Sequence, residues 1–279
     1  MSAVMDQRAG GAVGHVLAQV VRYEYSSPVT DLRQRLVVLP PEVHGGQRRV
    51  RHEFSVRGGE GATWVTRSDR WGNTVIDVQV PTVERAVEFV IDAGTAVDAK
   101  PHAVSSIGRF VPPTHLTHPP AEGPIAAMAS AARDADARAI CSMVHRSLEY
   151  RPGITGVRTT AAEAAAGGVG VCQDFAHVML AVCRSVGLPA RYVSGHLAGE
   201  GASHAWVETL TPVNAGRRAR FAVEAWDPTH DRRTDERYLT VATGRDYDDV
   251  APLSGTFEAD ELVDATLTVT KTLSVEAGP

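Results

Sequence analysis

The segment GVGVCQDFAHVMLAVCRSVGLPARYVSGHL, residues 168–197, decides the fold. Its apolar residues recur at intervals of three and four, which predicts a helix from Val171 to Val186 with one buried face. The GLP sequence at 187–189 ends that helix, and a strand is expected over residues 190–196. The first turn of the helix contains Cys172, where the positive end of the helix dipole favours a thiolate.

The chain changes character near residue 98. Before it, short runs rich in β-branched and aromatic residues alternate with glycine turns, which is typical of a small antiparallel β domain. Six strands are predicted there, at residues 16–25, 35–39, 50–56, 62–67, 74–80 and 83–91. After it, the apolar period lengthens to that of a helix, so the whole chain is predicted to be α+β.

The second half combines helices with later strands. One long helix or two short ones are predicted within residues 125–150, and Thr160 and Glu163 have the spacing of a capping box that starts another. Strands are predicted at residues 203–210, 220–226 and 267–275. The chain is therefore divided into an N-terminal β domain (1–98), a connecting segment rich in Pro and His (99–120), a core (121–255) and a C-terminal strand (256–279).

Composition narrows the range of functions. Hydrophobic residues make up 43% and charged residues 22% of the 279 residues, as in ordinary globular domains. The formal net charge of −5 offers no basic surface, so neither nucleic acid nor a membrane is expected as a partner. Three cysteines are too few for a disulfide framework, and we see no signal sequence or membrane-spanning run, so a cytoplasmic location is expected.

Two further motifs complete a nucleophilic site around Cys172. His204 lies 32 residues after Cys172 in SHAWVE, and Asp227 follows in WDPTH. The two motifs are predicted to form one hairpin with a turn near residues 214–216, which places His204 opposite about residue 226 and brings Asp227 within reach of the imidazole. A thiolate nucleophile needs a base and a group that orients the base, so we predict that Cys172, His204 and Asp227 form a catalytic triad.

Residues beside the triad are candidates for supporting roles. The backbone N–H of Cys172 is the expected first oxyanion donor, and Gln173 or a side chain of the preceding loop is a candidate for the second. We interpret Trp206 as a packing residue rather than a substrate contact. Glu208 shares a strand face with His204, and the sequence leaves open whether it supports the site or is simply an exposed strand residue.

Other histidines and cysteines fit the catalytic roles less well. His177 points about 140° around the helix from Cys172, and His196 lies at a strand end, so His204 is favoured as the base. Cys141 and Cys183 are expected to be core residues.

The sequence predicts neither a metal ion nor a cofactor. His115 and His118 lie in HLTH without an acid or a cysteine at ligand spacing. The glycines before Cys172 are not followed by the lysine of a phosphate-binding loop. The acidic stretch at 246–249 does not match a calcium loop and is interpreted as a solvated turn.

The three motif blocks, GVGVCQDFAHVMLAVCRSVGLPARYVSGHL, SHAWVE and WDPTH, resemble the catalytic blocks of the bacterial transglutaminase-like superfamily, whose core is shared with papain-like cysteine peptidases. RYEYSSPV at 22–29 and DRWGNTV at 69–75 resemble the β domain that precedes this core in one bacterial branch. The resemblance implies a helix bundle packed on an antiparallel sheet. It also implies a nucleophile at Cys172, a general acid and base at His204, and an orienting carboxylate at Asp227.

The predicted function is acyl transfer from a peptide or side-chain amide. Attack by the thiolate gives an acyl-enzyme, which is resolved by water in a protease or amidase, or by an amine in transamidation, and hydrolysis is favoured. Acetyl transfer to arylamines uses a similar triad, but the Arg-Gly-Gly that would precede the nucleophile is not seen before Cys172. The alternative from another class is a non-catalytic protein-binding module on a papain-like core. The oligomeric state is left open.

Overall fold

A computed structural model describes residues 14–98, 103–104, 110, 112–213, 220–259 and 266–277. These residues form five helices: α1 (Pro124–Ala131), α2 (Ala137–Ser147), α3 (Ala161–Gly167), α4 (Cys172–Ser185) and α5 (Tyr247–Val250). They also form the strands β1 (His15–Tyr25), β2 (Val29–Leu39), β3 (Val43–His44), β4 (Gln47–Arg57), β5 (Thr63–Ser68), β6 (Thr74–Val83), β7 (Ala86–Val97), β8 (Ala103–Val104), β9 (Glu149–Tyr150), β10 (Val169–Gly170), β11 (Ala190–Leu197), β12 (Ser203–Pro212), β13 (Phe221–Asp227), β14 (Arg232–Arg233), β15 (Tyr238–Gly244), β16 (Leu253–Glu258) and β17 (Leu267–Ala277).

The N-terminal half is a pair of antiparallel sheets that share one apolar core. One sheet has the strand order β17-β1-β7-β4-β3, and the other has the order β16-β2-β6-β5. Buried and less buried residues alternate along β1, as expected for a strand with one face in a core. The core between the sheets includes Leu17, Val21, Leu32, Leu36, Ile76, Val80, Phe89 and Ile91.

The C-terminal strands return to this β region. β16 pairs with β2, and β17 pairs with β1 over eleven residues, from Leu267 opposite Tyr25 to Ala277 opposite His15. The sequence predicted a single late strand, and it missed both β16 and the preceding β15. β15 pairs with β11 and β16 pairs with β2, and neither partner is the neighbouring strand in the chain, so local sequence did not indicate either pairing. The proposed boundaries at residues 98, 120 and 255 stay predictions.

The core region packs helices against a six-stranded sheet. The sheet order is β14-β13-β12-β11-β15, and β8 pairs with β13. Helix α4 contacts β11 and β12 on one side and α1, α2 and α3 on the other. The structure therefore confirms the α+β class and the packing of helices on an antiparallel sheet.

Helix α4 is buried on every side, whereas the apolar pattern predicted a single buried face. All of its residues from Gln173 to Arg184 are buried, including polar ones. The guanidinium of Arg184 donates to the Thr117 hydroxyl and to the Ala190 carbonyl, so burial does not leave this charge without partners. A periodic pattern counts only apolar residues, and it cannot show that polar residues are buried through such bonds.

The other local predictions for the core hold with small changes. The stretch 125–150 forms the two helices α1 and α2 followed by the short strand β9. Thr160 and Glu163 form the capping box that starts α3. None of the helices in the described residues is long and apolar enough to cross a membrane.

The hairpin of β12 and β13 forms with a shifted register. Val207 pairs with Trp226, whereas a turn centred at residue 215 would have paired it with Val223. The predicted turn at 214–216 lies outside the described residues. The shift moves His204 beyond the paired part of β13, and its backbone partner is Gly195 of β11.

Buried polar contacts join the β region to the core region. The Gln47 side chain makes two hydrogen bonds with the backbone of Thr240, and Asn73 makes two with the backbone of Thr243. Both pairs reach β15, which therefore has one edge in the core sheet and polar contacts with the β region.

Candidate active site

Helix α4 begins at Cys172, and hydrogen bonds fix the position of this helix end. The Asp174 carboxylate accepts from the Val171 backbone N–H at 2.8 Å and from the Thr155 hydroxyl at 2.6 Å. An acceptor in the first turn satisfies a backbone donor that the helix itself leaves free. The Cys172 side chain is half-buried, so it stays accessible at a rigid helix end.

Gly170 is required by the same helix end. A Cβ at this position would lie 2.6 Å from the Cβ of Asp174 and 2.8 Å from its carboxylate oxygen. Glycine therefore lets the Asp174 side chain fold back over the chain entering α4. This close approach is the structural role of one of the glycines that precede the cysteine.

His204 and Asp227 are in contact, although the register of the hairpin differs from the predicted one. The His204 Nε2 donates to Asp227 Oδ2 at 2.7 Å, and both side chains are buried. Since Nε2 bonds to Asp227, Nδ1 is the ring nitrogen that remains for Cys172, which is near enough to raise the pKa of the imidazole. The structure thus brings the three predicted residues together in the order Cys172, His204, Asp227.

The electrostatics of the triad favour a protonated imidazole. Burial lowers the pKa of His204, but its hydrogen bonds with Asp227 and Cys172, and the charges of both, raise the pKa to about 10 overall. An imidazolium at neutral pH has a proton to give to a leaving group. Its positive charge also stabilises an adjacent thiolate.

Asp227 is held by more donors than the triad requires. Its Oδ2 accepts from His204, from His230 Nδ1 at 2.7 Å and from the Tyr238 hydroxyl at 2.7 Å, while its Oδ1 accepts from the Thr229 N–H at 2.9 Å. Burial would raise the pKa of Asp227, but these hydrogen bonds and the charge of His204 hold the pKa well below its usual range. The carboxylate stays ionised and fixed in orientation.

Two of these residues were missed by the sequence analysis. His230 is the last residue of the WDPTH motif, so its position three residues after Asp227 was a usable signal. Tyr238 is on β15, a strand that was not predicted, and nothing in its local sequence indicates a contact with Asp227.

Trp206 packs against the imidazole of His204, which agrees with its interpretation as a packing residue. It is 1% exposed, and its ring is stacked at 6.2 Å from the ring of His204. Tyr238 meets Trp206 edge to face at 5.3 Å. Gly195 makes room for the indole, since a Cβ there would lie 2.4 Å from the Trp206 ring. The buried indole holds the imidazole in place and is closed to a substrate.

Gln173 and Glu208 are engaged away from the triad. The Gln173 amide donates to the Val157 carbonyl at 3.1 Å, so its side chain holds the preceding loop. Glu208 is buried, forms an ion pair with Arg191 at 2.6 Å and accepts a hydrogen bond from His44 Nε2 at 2.7 Å. It is therefore neither an exposed strand residue nor a partner of His204, and its contact with His44 joins the core sheet to the β region.

The competing histidines do not contact the triad carboxylate. His177 is fully buried and accepts from the Tyr247 backbone N–H at 3.2 Å, and His196 is buried beside the Ala202 carbonyl. Burial lowers the pKa of each to about 3, so both are neutral at physiological pH.

The two remaining cysteines are core residues, as predicted. Cys141 and Cys183 are buried without a disulfide. Burial raises the pKa of each to about 12, which makes them poor nucleophiles.

The acidic stretch at 246–249 is not the solvated turn that the sequence suggested. Asp246 is buried and caps the short helix α5, and Asp249 pairs with Arg245 at 2.9 Å. Asp246 and Asp249 are thus engaged in capping and ion pairing, and Asp248 is the exposed residue of this stretch.

One group of possible metal ligands occurs among the described residues. Ligand atoms of His204, Asp227 and His230 lie within 4.8 Å of one another. Two of the three ligand atoms are the imidazole nitrogens that donate hydrogen bonds to Asp227, and those bonds account for the close approach. His115 and His118 are both exposed and do not belong to this group.

Two family models match the chain on either side of the connecting segment. The transglutaminase-like superfamily core matches residues 123–224, and the bacterial transglutaminase-like N-terminal region matches residues 17–98. The chain therefore contains a transglutaminase-like core that follows a bacterial transglutaminase-like N-terminal region. The core match contains Cys172 and His204, and Asp227 lies three residues beyond its end.

Proteins similar to this chain include uncharacterized mycobacterial proteins. The uncharacterized protein ML0607 of Mycobacterium leprae is 41% identical over 135 residues, which cover 44% of each chain. The uncharacterized protein Rv2569c of Mycobacterium tuberculosis is 34% identical over 181 residues, covering 61% of this chain and 51% of the relative. The chain spans about half the length of these relatives.

A solved structure has the same overall fold. A crystal structure from Cytophaga hutchinsonii, whose name as a cysteine protease is provisional, aligns with a TM-score of 0.72 at 18% identity. The alignment covers 96% of this chain and 91% of the other. At this identity the likeness concerns the fold alone.

Proposed function

We propose that the protein is a thiol-dependent acyl-transfer enzyme that acts on peptide or side-chain amides. The observation that carries the proposal is the position of Cys172 at the N-terminus of α4, near enough to His204 to affect its pKa, together with the 2.7 Å hydrogen bond from His204 to Asp227. A nucleophile, a base and an orienting group in this order form the arrangement that covalent acyl transfer requires.

The residues divide the chemistry in two steps. The Cys172 thiolate attacks the amide carbonyl carbon, the C–N bond breaks, and the His204 imidazolium gives its proton to the leaving amine. Water then attacks the resulting thioester, His204 accepts a proton from the water, and the carboxylic acid leaves as the Cys172 sulfur is released. The Cys172 backbone N–H, at the free end of α4, is the proposed donor to the oxyanion.

The acceptor in the second step decides between an amidase and a transamidase. We propose hydrolysis as the main outcome, with a primary amine as the competing acceptor. The partition can be measured by mass spectrometry, as the ratio of free acid to amine adduct when an acyl-enzyme is exposed to increasing concentrations of monodansylcadaverine. A product that is almost entirely adduct at low amine concentration would reverse this assignment.

The first prediction concerns the reactivity of Cys172. Iodoacetamide at neutral pH is expected to alkylate Cys172 at least about 100-fold faster than Cys141 or Cys183, because only Cys172 is both accessible and beside an imidazolium. The rates are measured by quenching and peptide mass spectrometry.

Asp227→Asn is expected to lower amide turnover by about 10²- to 10⁴-fold through loss of the ordered imidazole.

Cys172→Ala is the matched control, since it should abolish the fast phase and leave the slow labelling of the other two cysteines. Equal labelling of all three cysteines would contradict the proposal and would favour a non-catalytic binding module.

The free thiols fit a reducing compartment, and we propose a cytoplasmic location with peptide or protein amides as partners. The net charge of −5 gives no support for a nucleic acid or membrane partner. Fractionation of the producing cells, followed by detection of the protein, tests the location.

A further inference from the structure

Large apolar side chains reach solvent beside the thiol. Among the described residues between 112 and 259, the exposed large apolar side chains are Tyr150, Ile154, Val157 and Val213. Three of these four lie within one eight-residue stretch, with exposures of 53%, 59% and 51%. We refer to Tyr150, Ile154 and Val157 as the apolar rim. Clustered exposed apolar residues mark interaction sites more often than scattered ones do.

The apolar rim is attached to the helix end that contains the nucleophile. Tyr150 pairs with Gly170, two residues before Cys172. The Val157 carbonyl accepts from the side chain of Gln173, the residue that follows Cys172. Between them, the Thr155 hydroxyl is bonded to the Asp174 carboxylate. The rim therefore keeps a fixed position relative to the thiol.

Tyr150 lies within electrostatic range of both Cys172 and Glu200. Burial raises the pKa of the Tyr150 hydroxyl, and the charges of Cys172 and Glu200 raise it further. Glu200 in turn lies 3.8 Å from His230, which contacts Asp227.

We propose that the apolar rim binds a bulky aliphatic or aromatic side chain adjoining the amide that Cys172 attacks. The inference rests on the proposed function, because it makes the rim a specificity surface for that reaction. When the amide carbonyl of a substrate lies at the Cys172 sulfur, the substrate groups next to that amide lie near residues 150–157. An apolar group placed there removes rim surface from water, whereas a charged group loses hydration without gaining a partner.

The test compares electrophiles that differ only in their tail. Iodoacetamide, N-ethyl-, N-butyl-, N-hexyl- and N-benzyl-iodoacetamide are reacted with the protein and with glutathione, and the rate at Cys172 is divided by the glutathione rate. Each buried methylene is worth roughly a fourfold change in affinity. The hexyl and benzyl tails are therefore expected to raise the normalised rate by about tenfold or more. N-(2-hydroxyethyl)-iodoacetamide is expected to give no increase.

The rim variant Ile154→Ser/Val157→Ser is expected to lose most of this tail effect. The ratio of two rates on one protein cancels any change in thiol reactivity. Val213→Ser is the matched control, because Val213 is exposed to 65% on a strand end away from the rim, and it should keep the full tail effect. If the rim variant does not fold, the lack of a tail effect in the unmodified protein still overturns the inference, and the single variants Ile154→Ser and Val157→Ser replace the double variant.

The outcomes separate this inference from the proposed function. Slow iodoacetamide labelling of Cys172 would contradict the proposed function itself. Fast labelling with no tail effect, or a tail effect that survives in the rim variant, would overturn only the role of the rim. The role of the rim would also be overturned if light scattering shows that the unmodified protein is a dimer and the rim variant a monomer, while the tail effect is the same in both. The rim would then be an interface between copies.

Discussion

Oxygen Oδ2 of Asp227 accepts hydrogen bonds from His204, His230 and Tyr238. The rings of the two histidines lie 5.3 Å apart, and His230 is the exposed one of the pair. His230 and Tyr238 do not meet the thiol, so we regard them as positioning residues that fix the carboxylate for His204. A hydrogen bond to a charged group contributes more than a neutral one, so each should have a measurable effect.

His230→Ala is expected to lower the alkylation rate of Cys172 at neutral pH by roughly 3- to 10-fold, the value of one charge-assisted hydrogen bond among several. Tyr238→Phe removes a donor to the same oxygen and is expected to act similarly. The distinguishing measurement is the pH dependence of the rate. A less firmly positioned Asp227 stabilises the His204 imidazolium less, and the imidazolium in turn stabilises the thiolate less, so the rise of the rate with pH should occur at higher pH than in the natural protein.

Glu200→Gln is the control for His230, because Glu200 contacts the other nitrogen of that ring at 3.8 Å without touching Asp227. It is expected to stay within about twofold of the natural rate, since an exposed ion pair contributes little. A larger loss in Glu200→Gln than in His230→Ala would contradict the assignment.

At the scale of elements, the position of the α4 N-terminus depends on the close approach of the Gly170 backbone to the Asp174 side chain, in addition to the hydrogen bonds of Asp174. A methyl group at Gly170 would occupy the space of the Asp174 side chain. Asp174 would then release Val171 or Thr155, and the helix end would move together with Cys172.

Gly170→Ala is accordingly expected to destabilise the protein by about 1–3 kcal/mol and to slow the labelling of Cys172. Gly156→Ala is the matched control, because Gly156 belongs to the same segment and a Cβ there would meet nothing within 4 Å. Urea unfolding and iodoacetamide labelling of both variants test the prediction. Similar behaviour of the two variants would show that the Gly170 contact has no special role.

Local signals account for the parts of this site that the sequence predicted. The stripe of α4, the capping box of Thr160 and Glu163, and the three motif blocks each depend on residues close together in the chain. The contact of Tyr238 with Asp227 could not be predicted in this way, because it depends on the pairing of β15 with β11. The pairing of Val207 with Trp226 could not be predicted either. The predicted register assumed a turn centred at residue 215, and the sequence does not fix the centre of the connection between β12 and β13.

At the scale of the whole molecule, the β region and the core are joined by chain topology and by buried polar groups. β17 completes the sheet edge at β1, although more than 240 residues separate Leu267 from Tyr25 in sequence. Glu208 links Arg191 of the core sheet to His44 of the β region. The β region is therefore joined to the core by strand pairing and by buried contacts. The sequence predicted a strand at residues 267–275 without a partner, and its partner is β1, at the other end of the chain.

Two buried neutral histidines should make this molecule sensitive to acid. The pKa of His177 and of His196 is lowered by burial to about 3, against about 6.5 in an unfolded chain. Between these values the unfolded state binds more protons than the folded state, so stability falls as the pH decreases from 6.5 towards 3. Above pH 6.5 both states hold the neutral imidazole, and these two residues add no pH dependence. Each histidine contributes a slope of about 1.4 kcal/mol per pH unit within the window.

The free energy of unfolding in urea, measured from pH 8 to pH 4, is expected to fall less steeply in His177→Gln and in His196→Gln than in the natural protein. Glutamine at 177 keeps an acceptor for the Tyr247 N–H, so the variant removes the titration and retains the contact with α5. The measurements above pH 7 serve as the internal control, because there each variant should differ from the natural protein by a constant. An unchanged slope below pH 6 in both variants would show that neither buried imidazole limits stability in acid. Asp227 would not supply a slope in this window, because its pKa is lowered and its contribution to stability is lost only below about pH 3.9, the pKa of an aspartate in an unfolded chain.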